Sequence, residues 1–183
     1  VVETFKEGKA KTDFTAGMDL KYGISNSFTL DATLIPDFGQ AAFDEVRLNL
    51  GPFEQTFDEN RQFFTEGTEL FNKGDIFFSR RIGNAPTKRV SDDELSENEV
   101  AEDVPAKVNL LNALKISGRT KDNLGIGFFN AVTEKTEVTI TDTVSLETRK
   151  KVVESLANYN ILVFDQQFNN NSSISLINTN VTR

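Results

Sequence analysis

At 183 residues, with 38% hydrophobic and 26% charged side chains, the chain is long and apolar enough to bury a core, which excludes a disordered polymer. It has neither cysteine nor histidine, which excludes disulfides, thiolate and imidazole catalysis and the usual zinc ligands. The net charge of −8 comes mostly from Asp92, Asp93, Glu94, Glu97, Glu99, Glu102 and Asp103; the remaining 21 acidic and 20 basic residues leave no cationic surplus for a nucleic-acid partner.

Residues 17–36 read as a β-hairpin. Met18, Leu20 and Tyr22 alternate with Asp19 and Lys21, and the stretch GISN (23–26) is expected to turn the chain. Phe28, Leu30, Ala32 and Leu34 then alternate with Thr29, Asp31 and Thr33. A short third strand is expected around Val46, Leu48 and Leu50, with Glu45, Arg47 and Asn49 on its other face, ended by Gly51 and Pro52. The next stretch, GPFEQTFDENRQFFTEGTELF (51–71), sets five phenylalanines among charged side chains and follows neither a strand nor a helix period. DIFFSRRI (75–82) reads as a further strand.

Residues 84–106, NAPTKRVSDDELSENEVAEDVPA, read as a long acidic loop, interrupted by Pro86 and Pro105 and too charged for a core element. A second hairpin is expected from strands at 107–117 and 124–133 around the turn GRTKDN, with Val108, Leu110, Leu114 and Ile116 sharing one face of its first strand. In its second strand Leu124, Ile126, Phe128 and Val132 share one face, and Gly125, Gly127 and Ala131 the other. That second face is so small that backbone or a bulky aromatic is expected to approach it closely. Residues 136–156 read as a long hairpin extension, although ETRKKVVESL would also suit a short helix. Strands at 158–168 and 173–182 close the chain across QFNNNSS, for a total of about eight strands.

This alternation has two physical homes. In a soluble sandwich the apolar faces meet in a core and the charged faces look at water. In an outer-membrane barrel the apolar faces look at lipid while Asp19, Lys21, Asp31, Glu45 and Arg47 line a lumen. Strand lengths near those of tilted spanning strands, and short turns alternating with long polar excursions, suit the barrel. The absence of Trp, with only two Tyr, leaves a poor aromatic girdle. The longest apolar runs, such as ILVF (161–164), fall far short of the roughly 20 residues of a membrane helix. The opening VVETF and the closing SISLINTNVTR, which still alternates, read as the ends of a segment cut from something longer.

The motifs Pro36–Gln40 (PDFGQ), Arg61–Gly67 (RQFFTEG) and Phe78–Gly83 (FSRRIG), with KISGRTKDNLGIGFFNAVTEKT (115–136), resemble an uncharacterised domain family of Gram-negative outer membranes. That family is usually found C-terminal to a family-9-like carbohydrate-binding domain. The resemblance covers most of the chain. It implies an all-β fold in which residues 1–183 form the N-terminal portion of a larger antiparallel transmembrane β-barrel in the cell outer membrane, with a soluble β-sandwich as the alternative. It also implies contact with outer-membrane lipid, with glycans through an upstream module, and with other outer-membrane proteins. Gln62 departs from the family pattern, where many members carry proline, so the backbone there is expected to be less rigid.

Within this frame residues 51–74 are expected to form an inner plug or ledge, with Phe53, Phe57, Phe63, Phe64 and Phe71 packing irregular backbone against the wall. Glu59, Glu66 and Glu69 are natural partners for Arg61, Arg80 and Arg81. The candidate binding residues are accordingly Arg61, Glu66, Arg80 and Arg81, as a lumen charge network or, alternatively, as an aromatic and arginine platform for sugars. The acidic loop lacks the spacing of a calcium loop and GIGFFN lacks the third glycine of a dinucleotide cradle, so no metal, cofactor or catalytic residue is nominated. The expected role is a non-enzymatic anchor or conduit of a surface glycan-handling protein. The alternatives are a membrane-associated polysaccharide hydrolase and a soluble adhesion-type sandwich.

Overall fold

The computed structural model describes residues 2–6, 9–13, 16–35, 59, 61–75, 77–168 and 171–183, with side chains from residue 16 onward. The strand expected around Val46, with Glu45, Arg47, Phe53 and Phe57, lies outside these residues. Among the described residues the chain is all-β. In chain order the elements are β1 (Val2–Lys6), β2 (Lys9–Asp13), β3 (Met18–Ser25), β4 (Phe28–Leu34), the single helical turn α1 (Gln62–Thr65), β5 (Glu99–Glu102), β6 (Leu110–Arg119), β7 (Leu124–Thr133), β8 (Thr136–Asp142), β9 (Thr148–Glu154), β10 (Ala157–Phe168) and β11 (Ser172–Thr182).

Every pairing is antiparallel. β1 and β2 form a hairpin, and a six-stranded sheet runs in the order β11-β10-β7-β6-β4-β3. The third sheet, β5-β8-β9, prolongs the β7/β10 hairpin beyond Thr133 and Ala157, as the alternation of 136–156 required. The stretch that would also have suited a helix is strand β9.

Two sequence expectations need correction at their edges. The first hairpin turns at Asn26–Ser27 rather than across GISN, because a bulge between Gly23 and Ser25 absorbs Ile24 and carries β3 two residues further. A second bulge between Leu110 and Asn112 reverses the parity of β6 at its start. Leu110 therefore joins the buried core at 5% exposure instead of sharing a face with Leu114 and Ile116.

The run 75–82 is not a strand. Gly74 and Asp75 both have positive φ and turn the chain, and Ser79–Arg81 is a 3-10 turn closed by Arg81 N–H to Phe78 O and Ile82 N–H to Ser79 O. The carbonyls of Ser79 and Ile82 are taken by the Arg61 guanidinium, which leaves no ladder for a neighbouring strand. Inside the acidic loop, Asp92–Glu94 forms a capped 3-10 turn and β5 pairs with β8, so part of that loop is ordered on the small sheet. Arg149 of β9 holds Glu99 of β5 at 2.7 Å and also donates to the Glu94 carbonyl.

The register divides the six-stranded sheet into two faces. One carries Met18, Leu20, Tyr22, Phe28, Leu30, Leu114, Ile116, Ile126, Phe128, Leu162, Phe164, Ile174 and Leu176. The other carries Asp31, Lys115, Gly125, Gly127, Phe129, Ala131, Val163 and Asp165, and residues 61–83 lie on it. The small side chains of β7 are explained by this cover. A Cβ on Gly127 would stand 3.1 Å from the Phe71 ring, and one on Gly125 would stand 2.8 Å from Leu70.

Gly127→Val is expected to push Phe71 off the sheet and cost about 1–3 kcal/mol, whereas Gly23→Ala, whose new methyl meets nothing within 4 Å, should leave the denaturation midpoint unchanged. Hydrogen bonding from Arg149 lowers the Glu99 carboxyl to about 2, below an unfolded value of about 4.3. The native value is the depressed one, so this contribution is complete above about pH 4.3 and fades as the pH falls toward 2. A carboxyl-detected titration should show Glu99 protonating near the lower value, and at a higher pH in Arg149→Met, where the Ser96 N–H still holds the carboxylate.

Candidate functional site

The covered face is fastened by an aromatic cluster and three charged knots. Phe129 projects from β7 into the cluster, with ring centroids 6.3 Å from Phe63, 6.0 Å from Phe64, 6.2 Å from Phe71 and 5.1 Å from Phe77. Phe64, Leu70, Phe71 and Ile82 from the overlying segment close on Leu110, Ala113, Ala131, Ile161 and Val163 of the sheet. Aromatic side chains supply the contact area here because irregular backbone has no periodic face to offer.

The first knot is internal to the segment. Arg61, 7% exposed, reaches both oxygens of Glu59 at 2.8 and 2.7 Å, the carbonyls of Ile82 at 2.6 Å and Ser79 at 2.9 Å, and lies 4.1 Å over the Phe64 ring. Burial works to raise the Glu59 carboxyl, but hydrogen bonds from Arg61 and the Ser79 hydroxyl outweigh it and hold the group below its ordinary value. One guanidinium thus ties together positions 59, 79 and 82.

The second knot joins segment to wall. Lys115 of β6 is 2% exposed, and its ammonium donates to the Phe63 carbonyl at 2.7 Å, to the Glu66 carbonyl, and faces Asp31 of β4 at 3.6 Å. The third lies nearer the short turns. Asp165 of β10, fully buried, accepts from Lys73 at 2.5 Å, from Arg119 of β6 at 2.5 Å and from the Ser175 hydroxyl of β11 at 2.6 Å. One carboxylate therefore gathers two strands and the segment around β10.

The sequence-nominated residues lie at three places on the segment: before α1, after it, and on the 3-10 turn. Arg61 is the centre of the first knot. Glu66 is exposed and holds Lys21 of β3 at 2.7 Å and Gln62 at 2.7 Å, pairing with a wall lysine instead of an arginine. Arg80 is half-buried on the 3-10 turn, and Arg81 beside it is exposed and faces a separate pocket. Gln62 opens α1, a position proline also favours, so this departure from the family pattern costs the fold little.

Lys115, Asp165, Lys73 and Arg119 were not singled out from sequence. For Lys115 and Asp165 the one visible signal is an ionisable residue at the inward parity of an otherwise apolar strand, as in LKIS and VFDQ. No group of acidic side chains among the described residues could hold a metal ion. The site as built fastens a folded-in segment to a β-wall.

Over residues 1–183 the chain matches the family described as Domain of unknown function (DUF5916), and it belongs to that family. No curated protein and no solved structure is similar to it.

Lys115→Met leaves two backbone carbonyls and Asp31 without their cation and is expected to cost about 2–4 kcal/mol. Limited proteolysis should then cut within 61–82 well before the strands. Asp165→Asn should destabilise by about 3 kcal/mol, with the loss read from the urea midpoint.

Proposed function

We propose that the six-stranded sheet is part of the wall of an outer-membrane β-barrel. Its open face would meet lipid and its covered face would enclose residues 61–83, and the whole would serve as the membrane anchor of a surface glycan-handling protein. The observation that carries this reading is the shape of the apolar band on the open face.

On β4 the band reaches Leu34; on β6 it stops between Leu114 and Asn112; on β10 between Leu162 and Asn160; on β11 between Leu176 and Asn178. On β7 Asn130 marks the line and Val132 lies beyond it. From β4 to β11 the boundary steps by about six residues, about 20 Å, across strand spacings that sum to about 19 Å. Its slope is therefore about 45°, close to the tilt at which barrel strands cross a bilayer. At the other margin the band begins at Phe28 on β4 and one row further at Leu124 on β7. A horizontal slab of hydrocarbon meeting tilted strands would leave this oblique trace, whereas a sandwich core has no reason to.

The side chains on the open face support the same reading, with Met18 at 58%, Leu20 at 48%, Ile174 at 66% and Leu176 at 64% exposure. So much uncovered apolar surface is costly in water. The connections also segregate. At one end β3 turns into β4 at Asn26–Ser27, β6 into β7 at residues 120–123, and β10 ends at Phe168 close to where β11 begins at Ser172. At the other end β4 stops at Leu34 while β6 begins only at Leu110, and residues 134–156 connect β7 to β10. Short turns at one rim and long loops at the other are the habit of outer-membrane barrels. The buried charges fall on the enclosed side, and the segment held by Lys115 and Asp165 would fill the lumen, which favours an anchor over an open conduit.

In this reading the protein stays with the membrane pellet through an alkaline wash, needs detergent for release, and migrates differently on a gel before and after heating. Ile126→Arg, in the middle of the band on β7, should then cost about 2–4 kcal/mol, the penalty of a cation facing mid-bilayer lipid. Recovery in the soluble fraction, with Ile126→Arg neutral to within about 0.5 kcal/mol, would overturn the assignment.

A further inference from the structure

At the rim where the long connections leave, a pocket of about 500 Å³ opens between residues 81–87, the end of β9 and the covered face of β7, β10 and β11. Its apolar walls are Ala85, Val108 and Val181, and Tyr159 lines it from β10. Glu154, 7% exposed, forms one side. Its Oε2 accepts from the Thr87 N–H and the Thr87 hydroxyl, each at 2.7 Å, and its Oε1 faces Arg183 at 3.7 Å. That carboxylate is thereby spent on shaping the wall. Arg81 differs, because it lines the pocket, is exposed, and has no ion-pair partner among the described residues.

The turn that presents Arg81 is fixed. Gly83 sits at φ 75°, where a Cβ would stand 3.2 Å from the Val108 carbonyl, and Val108 N–H is bonded to Asn84 O at 2.9 Å. The pocket therefore combines a rigid concave apolar surface, an aromatic ring and one uncommitted forked cation. Guanidinium groups pair with carboxylates through two parallel hydrogen bonds. The nearby Glu154 disfavours a doubly charged phosphate, so the complement is a singly charged group.

We propose that this pocket binds a small organic carboxylate. Arg81 grips its charge, and Tyr159 with the aliphatic walls takes its less polar part. The volume suits a ligand the size of one sugar ring or one amino-acid residue. The carboxylate could belong to a sugar acid or to a peptide C-terminus, a difference the test resolves. The inference stands on the pocket alone and does not require the sheet to lie in a membrane.

The chain contains no Trp and two Tyr, so Tyr22→Phe leaves Tyr159 as its only strong fluorophore. In that background the full chain is titrated with glucuronate or N-acetylphenylalanine, and with the neutral controls glucose and N-acetylphenylalanine amide, read by tyrosine emission and by calorimetry. A saturable response to one of the carboxylates, absent with its neutral counterpart, is expected. Arg81→Gln should weaken it at least about tenfold, Arg81→Lys should retain part of it, and Ala85→Phe should abolish it by filling the pocket. A response equal for acid and neutral probe, an affinity unmoved by Arg81→Gln, or no saturation by either method up to about 10 mM would each overturn the proposal. Loss of this binding with membrane association intact, or the reverse, separates it from the anchor reading.

Discussion

A lysine ammonium buried in a β-sheet is tolerated only when each of its protons meets an acceptor, and Lys115 imposes that requirement on everything packed above it. Water is excluded at 2% exposure, and Asp31 at 3.6 Å satisfies one direction at most. The other acceptors are the carbonyls of Phe63 and Glu66, which are free because α1 ends after a single turn. The brevity of that helix, a weakness by propensity, is what makes it a receptor for the lysine. With α1 so placed, Phe63 and Phe64 are delivered onto Phe129, and Phe71 onto the glycine at position 127.

The same constraint accounts for the difference between the two faces. Strand parity sends Lys115 and Asp165 to one side, so Ile116, Leu114, Phe164 and Leu162 must go to the other. A segment fastened by ion pairs and short carbonyl contacts can cover the first side without hydrocarbon on its outer surface. The second side carries aliphatic and aromatic groups, with asparagines at one end and Gln166 at the other. Asn130 donates to both Asn158 and Asn160, at 2.7 and 2.8 Å, and this polar group lies at the margin of the apolar band on β7 and β10.

Much of this was legible in the chain itself. Period-two alternation located β3, β4, β6, β7, β10 and β11 to within a few residues, and the small face of β7 announced the close approach that Leu70 and Phe71 make. Bulges were not legible, since one inserted residue at Leu111 or Ile24 leaves no compositional mark while reversing parity beyond it. DIFFSRRI failed for a different reason. Its β-branched and aromatic content satisfies local strand propensity, but the Arg61 guanidinium, far away in sequence, claims its carbonyls. Long-range charge pairing also escaped. Lys73 and Asp165 are 92 positions apart, and nothing in either neighbourhood encodes the other.

Arg61 and Arg81 look alike in sequence, each an arginine close to aromatic residues, and the fold gives them opposite roles. Arg61 is consumed: two carboxylate oxygens, two carbonyls and a ring leave its guanidinium no surface for a ligand. Arg81 is the last residue of the 3-10 turn and is exposed, whereas Ile82 after it enters the core at 1% exposure. Burying Ile82 turns its predecessor outward, and Gly83 at positive φ then bends the chain back along the pocket wall. The turn thus separates a structural residue from an available one at adjacent positions. An exposed arginine with no ion-pair partner among the described residues adds little to stability, and the proposed pocket gives it a carboxylate to hold.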